Sequence, residues 1–264
     1  MSDKGTPILE LRGVHMVFGG VTALRGVDLD VAQGERLGIL GPNGAGKTTL
    51  FNIVAGDFAP TDGIVEINGQ DVSLAPARIR PSLGVARTYQ KTRLFQGLTV
   101  ADNLFVAIIG KEGGHLRMRK QSADEQLRER AAAAATSVWL EDKLDTKVED
   151  LSHGEQRQLE VGMALSTDPQ LLLLGEPASG LSKGERERLV ELLNGLDPTV
   201  TLILIEHDMD VALNVADRLF VMADGEVIAG GTPDEIRENQ LVHDVYLGVS
   251  GSCLLYTSPS HETS

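Results

Sequence analysis

A single cysteine, Cys253, occurs in the 264 residues. One thiol can form neither an internal disulfide nor a multi-cysteine zinc site, which agrees with a reducing compartment. Aromatic residues are scarce too, at 4%. Long apolar runs are missing: the longest candidates, Leu171 to Leu174 and Val200 to Ile205, fall far short of the roughly 18 to 20 residues that cross a bilayer as a helix. The opening segment MSDKGTPILEL lacks the basic start, apolar stretch and small-residue cleavage site of a secretory signal, so a cytoplasmic location is expected. Basic residues are in the minority, 24 against 38 acidic ones, giving a formal charge of −14. That balance argues against nucleic acid as a partner, because non-specific affinity for it comes from a basic surface. The acidity itself is read as serving solubility. Any phosphate ligand must therefore find its positive potential locally.

What is present is the composition of an ordinary soluble globular protein, 42% hydrophobic and 23% charged. The length suits one large domain or two small ones. Ile8 to Val17 and Val21 to Val31 are β-favouring runs broken by Gly19-Gly20, which predicts an antiparallel β layer at the start. The apolar run Arg36 to Leu40, a glycine-rich loop and the apolar-faced stretch Lys47 to Ala55 read as strand, loop and helix. Asn68-Gly69 marks a further hairpin turn. From Val100 to Leu165 the strand signal disappears, and the charged, alanine-rich stretch Lys111 to Thr136 suggests exposed helices inserted into the fold. Leu171 to Leu174 and Thr201 to Ile205 are nearly continuous apolar runs, as expected of parallel strands covered on both faces, with a helix over Glu185 to Leu193 between them. A strand from Arg218, a turn at Asp224-Gly225 and a strand from Glu226 follow. Thr232-Pro233-Asp234-Glu235 then opens a helix with a capping box. Gly34 to Gly38 are read as turn residues, and the Ser/Thr-rich segment after Ser250 as a disordered or non-native tail.

The loop Gly41-Pro42-Asn43-Gly44-Ala45-Gly46-Lys47-Thr48 fits G-x-x-x-x-G-K-[ST]. Its glycines let successive backbone N–H groups face a polyphosphate, Lys47 adds a point charge, the Thr48 hydroxyl suits Mg²⁺, and the following helix, with Thr49 in its first turn, adds its dipole. The strand before the loop and the helix after it supply the context that this motif requires.

The remaining motifs carry a resemblance. Leu151 to Gln156, LSHGEQ, resembles the signature motif of ATP-binding-cassette (ABC) proteins. Gln90 in RTYQKTRLF is similar to the family's Q-loop, Leu171 to Pro177 to its strand and catalytic carboxylate, and His207 in LIEHDMD to its switch histidine. Phe18 stands where the family has an aromatic that stacks on adenine. The resemblance implies an α/β fold, a P-loop NTPase core of the ABC ATPase type with an N-terminal antiparallel β layer and a helical insertion. It divides the chain into 1–98 (β layer and first part of the core), 99–166 (helical subdomain), 167–249 (second part of the core) and 250–264 (tail).

The same resemblance implies ATP and Mg²⁺ as ligands, with Thr48 and Gln90 toward the metal, Glu176 orienting water and His207 sensing the γ-phosphate. It also implies that Ser152 and Gly154, with Gln156 beside them, meet the ATP of an opposite subunit; physically, Ser152 is also a plausible N-cap. The wording ARTYQKTRLF, LSHGEQRQLEVGMAL and DGEVIAGGTPDEIR, ending in YLG, looks most like the ATP-binding subunit of branched-chain amino acid importers. Implied partners are a second ATP-binding subunit, transmembrane permease subunits and, indirectly, a periplasmic solute-binding protein. The chain would then sit on the inner face of the plasma membrane, held by the permease. A lipopolysaccharide-export ATPase and a soluble ATP-binding regulatory module are the alternative expectations. One position departs from the family: Gly175 stands where an aspartate precedes the catalytic glutamate. A sequence variant of an active enzyme, a subunit that hydrolyses poorly, and compensation by another carboxylate each account for it. The expectation is bound nucleotide with reduced turnover. Ser182, where many relatives carry aspartate, is taken as tolerated variation.

Overall fold

The computed structural model describes residues 7–88, 93–111 and 121–251. In β1 (Leu9–Phe18) and β2 (Val21–Val31) buried and exposed side chains alternate, the mark of strands with one wet face. They pair antiparallel across the Gly19-Gly20 turn. With β4 (Asp62–Ile67) and the two-residue β5 (Gln70–Asp71) they form a four-stranded sheet in the order β2-β1-β4-β5. Asn68 and Gly69 both take positive φ in the β4–β5 turn, as their types allow.

The second sheet is built around β3 (Arg36–Leu40), in the order β10-β9-β3-β8-β7-β6. β6 (Val85–Arg87), β7 (Leu171–Gly175), β8 (Thr201–Ile205), β3 and β9 (Arg218–Ala223) run parallel, and β10 (Glu226–Gly231) returns antiparallel. Successive side chains of β7 and β8 enter different cores. Leu171, Leu173, Ile203 and Ile205 pack toward the first sheet and α1 (Lys47–Ala55), whereas Leu172, Leu174, Leu202 and Leu204 pack toward the helices. Two covered faces explain why both runs are apolar throughout.

The helical layer comprises α2 (Val100–Lys111), α3 (Gln121–Ser137), α4 (His153–Leu165) and α5 (Lys183–Asn194). Here the structure corrects one expectation. α3 is exposed on one face only: Arg128, Glu129, Ala133 and Thr136 are exposed, whereas Leu127, Ala131, Ala134 and Ala135 are buried. Small side chains let it lie closely against α2 and α4. α6 (Met209–Val215), α7 (Pro233–Glu238) and α8 (Gln240–Gly251) enclose a third core with Leu40, Leu219 and Val221. Gly38 is also corrected: it lies within β3, where a Cβ would meet Leu219 Cδ2 at 2.4 Å, so close packing rather than a turn requires glycine. Gly34 is a turn residue with φ +78°.

No helix among the described residues is long and apolar enough to cross a membrane. Cys253 and residues 252–264 of the expected tail lie outside the described residues, as do residues 112–120 of the insertion.

Candidate nucleotide site

The carboxyl ends of β3, β7 and β8 meet at one edge of the second sheet, where open α/β sheets bind ligands. The loop from Gly41 to Thr48 joins β3 to α1. Gly41 has φ +148°, and any Cβ there would lie 2.2 Å from the Met222 carbonyl oxygen. Gly46, at φ +99°, is the N-cap of α1 and contributes no side-chain hydrogen bond. By contrast α4, α5, α6 and α7 are capped by Ser152, Ser182, Asp208 and Thr232. The N-cap position of α1 thus lends no side chain to the first turn, which lies at the positive end of a helix dipole. Pro42 and Thr49 are half-buried, Asn43, Gly44 and Thr48 are exposed, and Ala45 is buried.

Lys47 is only 5% exposed. Its Nζ donates to the carbonyls of Gly41 at 2.6 Å and Pro42 at 2.9 Å. Burial lowers its pKa below the ordinary lysine range, while the charges of Glu176 and Glu206 act in the opposite sense. Glu176 follows β7 with φ +50°, a left-handed backbone uncommon for a side-chain-bearing residue, and its N–H donates to the Ile205 carbonyl at 2.8 Å.

Sequence reasoning missed Glu206. It is 0% exposed and directly follows β8. Oε1 accepts from the Ala178 N–H at 2.8 Å and Oε2 from the His207 N–H at 3.2 Å. Burial raises its pKa, and the backbone donors of Ala178, Asp208 and His207 partly offset this. The readable signal was a carboxylate directly after a continuous apolar run. His207 itself is exposed, with Nδ1 3.8 Å from Glu206 Oε2.

Phe18 ends β1, is 41% exposed, and meets Phe58 edge to face at 5.5 Å between centroids. The signature residues belong to a second group, at the start of α4. Ser152 Oγ accepts from the Glu155 N–H, and Glu155 returns the bond to the Ser152 N–H, completing a capping box. The Gly154 N–H donates to Glu185 of α5 at 3.0 Å. The Gln156 side-chain amide donates to the carbonyls of Val148 and Leu151, an internal role in the turn before α4. Gln90 lies outside the described residues.

Residues 24–179 match the family model described as ABC transporter, a span that includes the phosphate loop, the signature turn and Glu176. The chain belongs to the ABC transporter family. As a member of it, the protein is an ATPase whose hydrolysis is coupled to transport. Residues 226–251 match a separate model, described as branched-chain amino acid ATP-binding cassette transporter. The high-affinity branched-chain amino acid transport ATP-binding protein LivG of Escherichia coli strain K12 is 37% identical over 250 residues, covering 92% of this chain and 98% of that protein. BraF of Pseudomonas aeruginosa, described in the same words, is 38% identical over 255 residues with the same coverage. Among solved structures, an ATP-binding cassette of an ABC transporter in its ADP conformation is similar with a TM-score of 0.82 and 28% identity, over 92% of this chain and 99% of that one. A dimeric cassette in a post-hydrolysis state, bound to ADP and Pi, is similar with a TM-score of 0.73 and 26% identity, over 85% of this chain and 98% of that one.

Proposed function

We propose that this chain is the ATP-binding and hydrolysing motor subunit of an importer of branched-chain amino acids. The observation that carries the reading is the joint match: relatives described as branched-chain amino acid transport ATP-binding proteins align along 92% of the chain, and residues 226–251 match a model described as branched-chain amino acid ATP-binding cassette transporter. A second copy or a similar subunit completes the motor, as in the dimeric cassette to which the chain is similar.

In this reading ATP lies along the loop 41–48, with its adenine on Phe18 and its phosphates on the first turn of α1 and on Lys47. Phosphoryl transfer is largely positioning and charge stabilisation, so these contacts do most of the chemistry. Glu176, fixed by its left-handed backbone at the end of β7, orients the attacking water. His207 senses the γ-phosphate from the end of β8. Mg²⁺ takes few protein ligands and keeps several waters, which fits the exposed position of Thr48 at the start of α1. Thr48 and Gln90 would hold the ion, which neutralises charge on the phosphates. Ser152 and Gly154 would serve the nucleotide held by the opposite subunit. With no carboxylate at Gly175, turnover is reduced while binding persists.

Coupling to the permease falls to the helical segment 99–166 and the groove beside it. That open groove has a volume of about 410 Å³; Val85, Leu94, Ala107 and Met163 give it apolar walls and Arg87, Arg93, Lys111 and Glu160 add charge, a mixed lining that suits the cytoplasmic end of a membrane subunit. Coexpression with candidate permease subunits tests the assignment. Recovery of the chain in the membrane fraction only with those subunits, together with Lys47-dependent uptake of leucine, isoleucine or valine, is expected. A soluble, ATP-binding chain that joins no membrane subunit overturns it, as does copurification with a lipopolysaccharide-export permease.

A further inference from the structure

The C-terminal helix touches the phosphate loop. The N–H of Gly41 donates to the hydroxyl oxygen of Tyr246, in α8, at 2.8 Å across 205 positions of sequence. The position of Gly41 explains why this bond matters. β3 keeps its parallel ladder with β9 as far as Leu40–Val221 and then ends. Gly41 is the first residue past it, pressed against the Met222 carbonyl so closely that no side chain fits. Its N–H therefore needs an acceptor from elsewhere, and Tyr246 supplies one. The other polar group of Gly41, its carbonyl, accepts from Lys47 Nζ at 2.6 Å. One residue is thus gripped on its N–H by the C-terminal helix and on its carbonyl by the lysine of the loop. The tyrosine ring is itself fixed, packing against the core of Leu40, Ala212, Leu219, Ile236 and Val242. Burial raises the phenol's pKa, so the hydroxyl stays neutral at ordinary pH.

We infer that Tyr246 is a positioning residue for the phosphate loop: through Gly41 it sets where the loop leaves β3, and so how well the loop and Lys47 receive a nucleotide. This rests on the nucleotide site proposed above. It gives one hydroxyl of α8, apart from the packing of that helix, a part in the affinity for ATP.

The test compares the full chain with Tyr246→Phe, which removes one oxygen and keeps the ring, and with Val242→Ala, which loosens the same core without touching the hydroxyl. Three readouts are taken: Kd for Mg-ATP, the melting temperature, and the ¹⁵N–¹H resonance of Gly41. Tyr246→Phe should raise Kd about three- to tenfold, the scale of one lost hydrogen bond. It should also shift the Gly41 amide, with KM rising more than kcat falls. Val242→Ala should lower the melting temperature with Kd unchanged. If wild type and Tyr246→Phe bind Mg-ATP equally, the inference is overturned while the nucleotide reading stands. It is overturned equally if both variants weaken binding in proportion to lost stability. If the wild-type chain binds no Mg-ATP, the nucleotide reading itself fails.

Discussion

The Gly154 N–H donates to Glu185 Oε1 at 3.0 Å, while Oε2 of the same carboxylate accepts from the N–H and hydroxyl of Ser182. One side chain closes the N-terminus of α5 and reaches the N-terminus of α4. The signature turn and the turn that follows the glutamate loop are thereby tied through a single carboxylate, in a sequence where they lie 31 positions apart.

This tie gives acid stability a definite sign. Hydrogen bonds from Ser182, then from Gly154, hold the Glu185 carboxyl below its ordinary value of 4.5. Folding favours the ionised form, so its stabilisation is present above that value and is lost as pH falls through the lowered folded-state pKa. Melting temperatures measured between about pH 3 and 6 should fall less steeply for Glu185→Gln than for the wild type. Identical slopes would show that the carboxylate contributes nothing.

Gly175 tests whether turnover is limited by a missing carboxylate. It is buried at the end of β7, opposite Ile205 and directly before Glu176. Gly175→Asp should raise Mg²⁺-dependent phosphate release about tenfold or more, the scale of one charge-stabilising group in a preorganised site. Adding Glu176→Gln should abolish that gain with ATP binding retained. Unchanged release by Gly175→Asp would mean that the aspartate is dispensable in this chain.

Lys47 opposes stability and function. Its ammonium is desolvated, and removing that cost offsets the loss of its hydrogen bonds to the Gly41 and Pro42 carbonyls. Lys47→Met should therefore melt no lower than the wild type. The Kd for ATP should rise about ten- to a hundredfold, from the loss of charge-assisted contacts to phosphate. A variant that melts well below the wild type, or that binds ATP as well, contradicts this.

Phe18 carries the adenine prediction. Because it is exposed and steadied by Phe58, Phe18→Ala should weaken ATP binding about three- to tenfold, whereas Phe18→Tyr keeps the ring face and should bind as the wild type does. Equal affinities for all three proteins would place the base elsewhere.

Most of the framework was legible along the chain because its signals are local. The β1–β2 and β4–β5 turns follow from Gly19-Gly20 and Asn68-Gly69, the strands from apolar runs, and α7 from its Thr232–Glu235 capping box. The phosphate loop was readable because its function depends on backbone conformations that only a fixed glycine pattern permits. β6 escaped notice because three residues, Val85 to Arg87, are too short to show a period. α6 and α8 did so because their apolar residues serve a core made with β9, not a pattern visible on one helix.

The sequence by itself determined the β layer, the parallel strands, the phosphate loop and the position of Glu176, since each is encoded by neighbours within a few residues. Only the tertiary structure decided that Glu206 lies buried beside Ala178 and His207, that Glu185 joins two helix starts, and that Tyr246 reaches Gly41. Those contacts join residues as much as 205 positions apart. Packing determines which carboxylate is desolvated and which hydroxyl meets an unpaired N–H at the end of a strand, and neither depends on the residues adjacent in the chain.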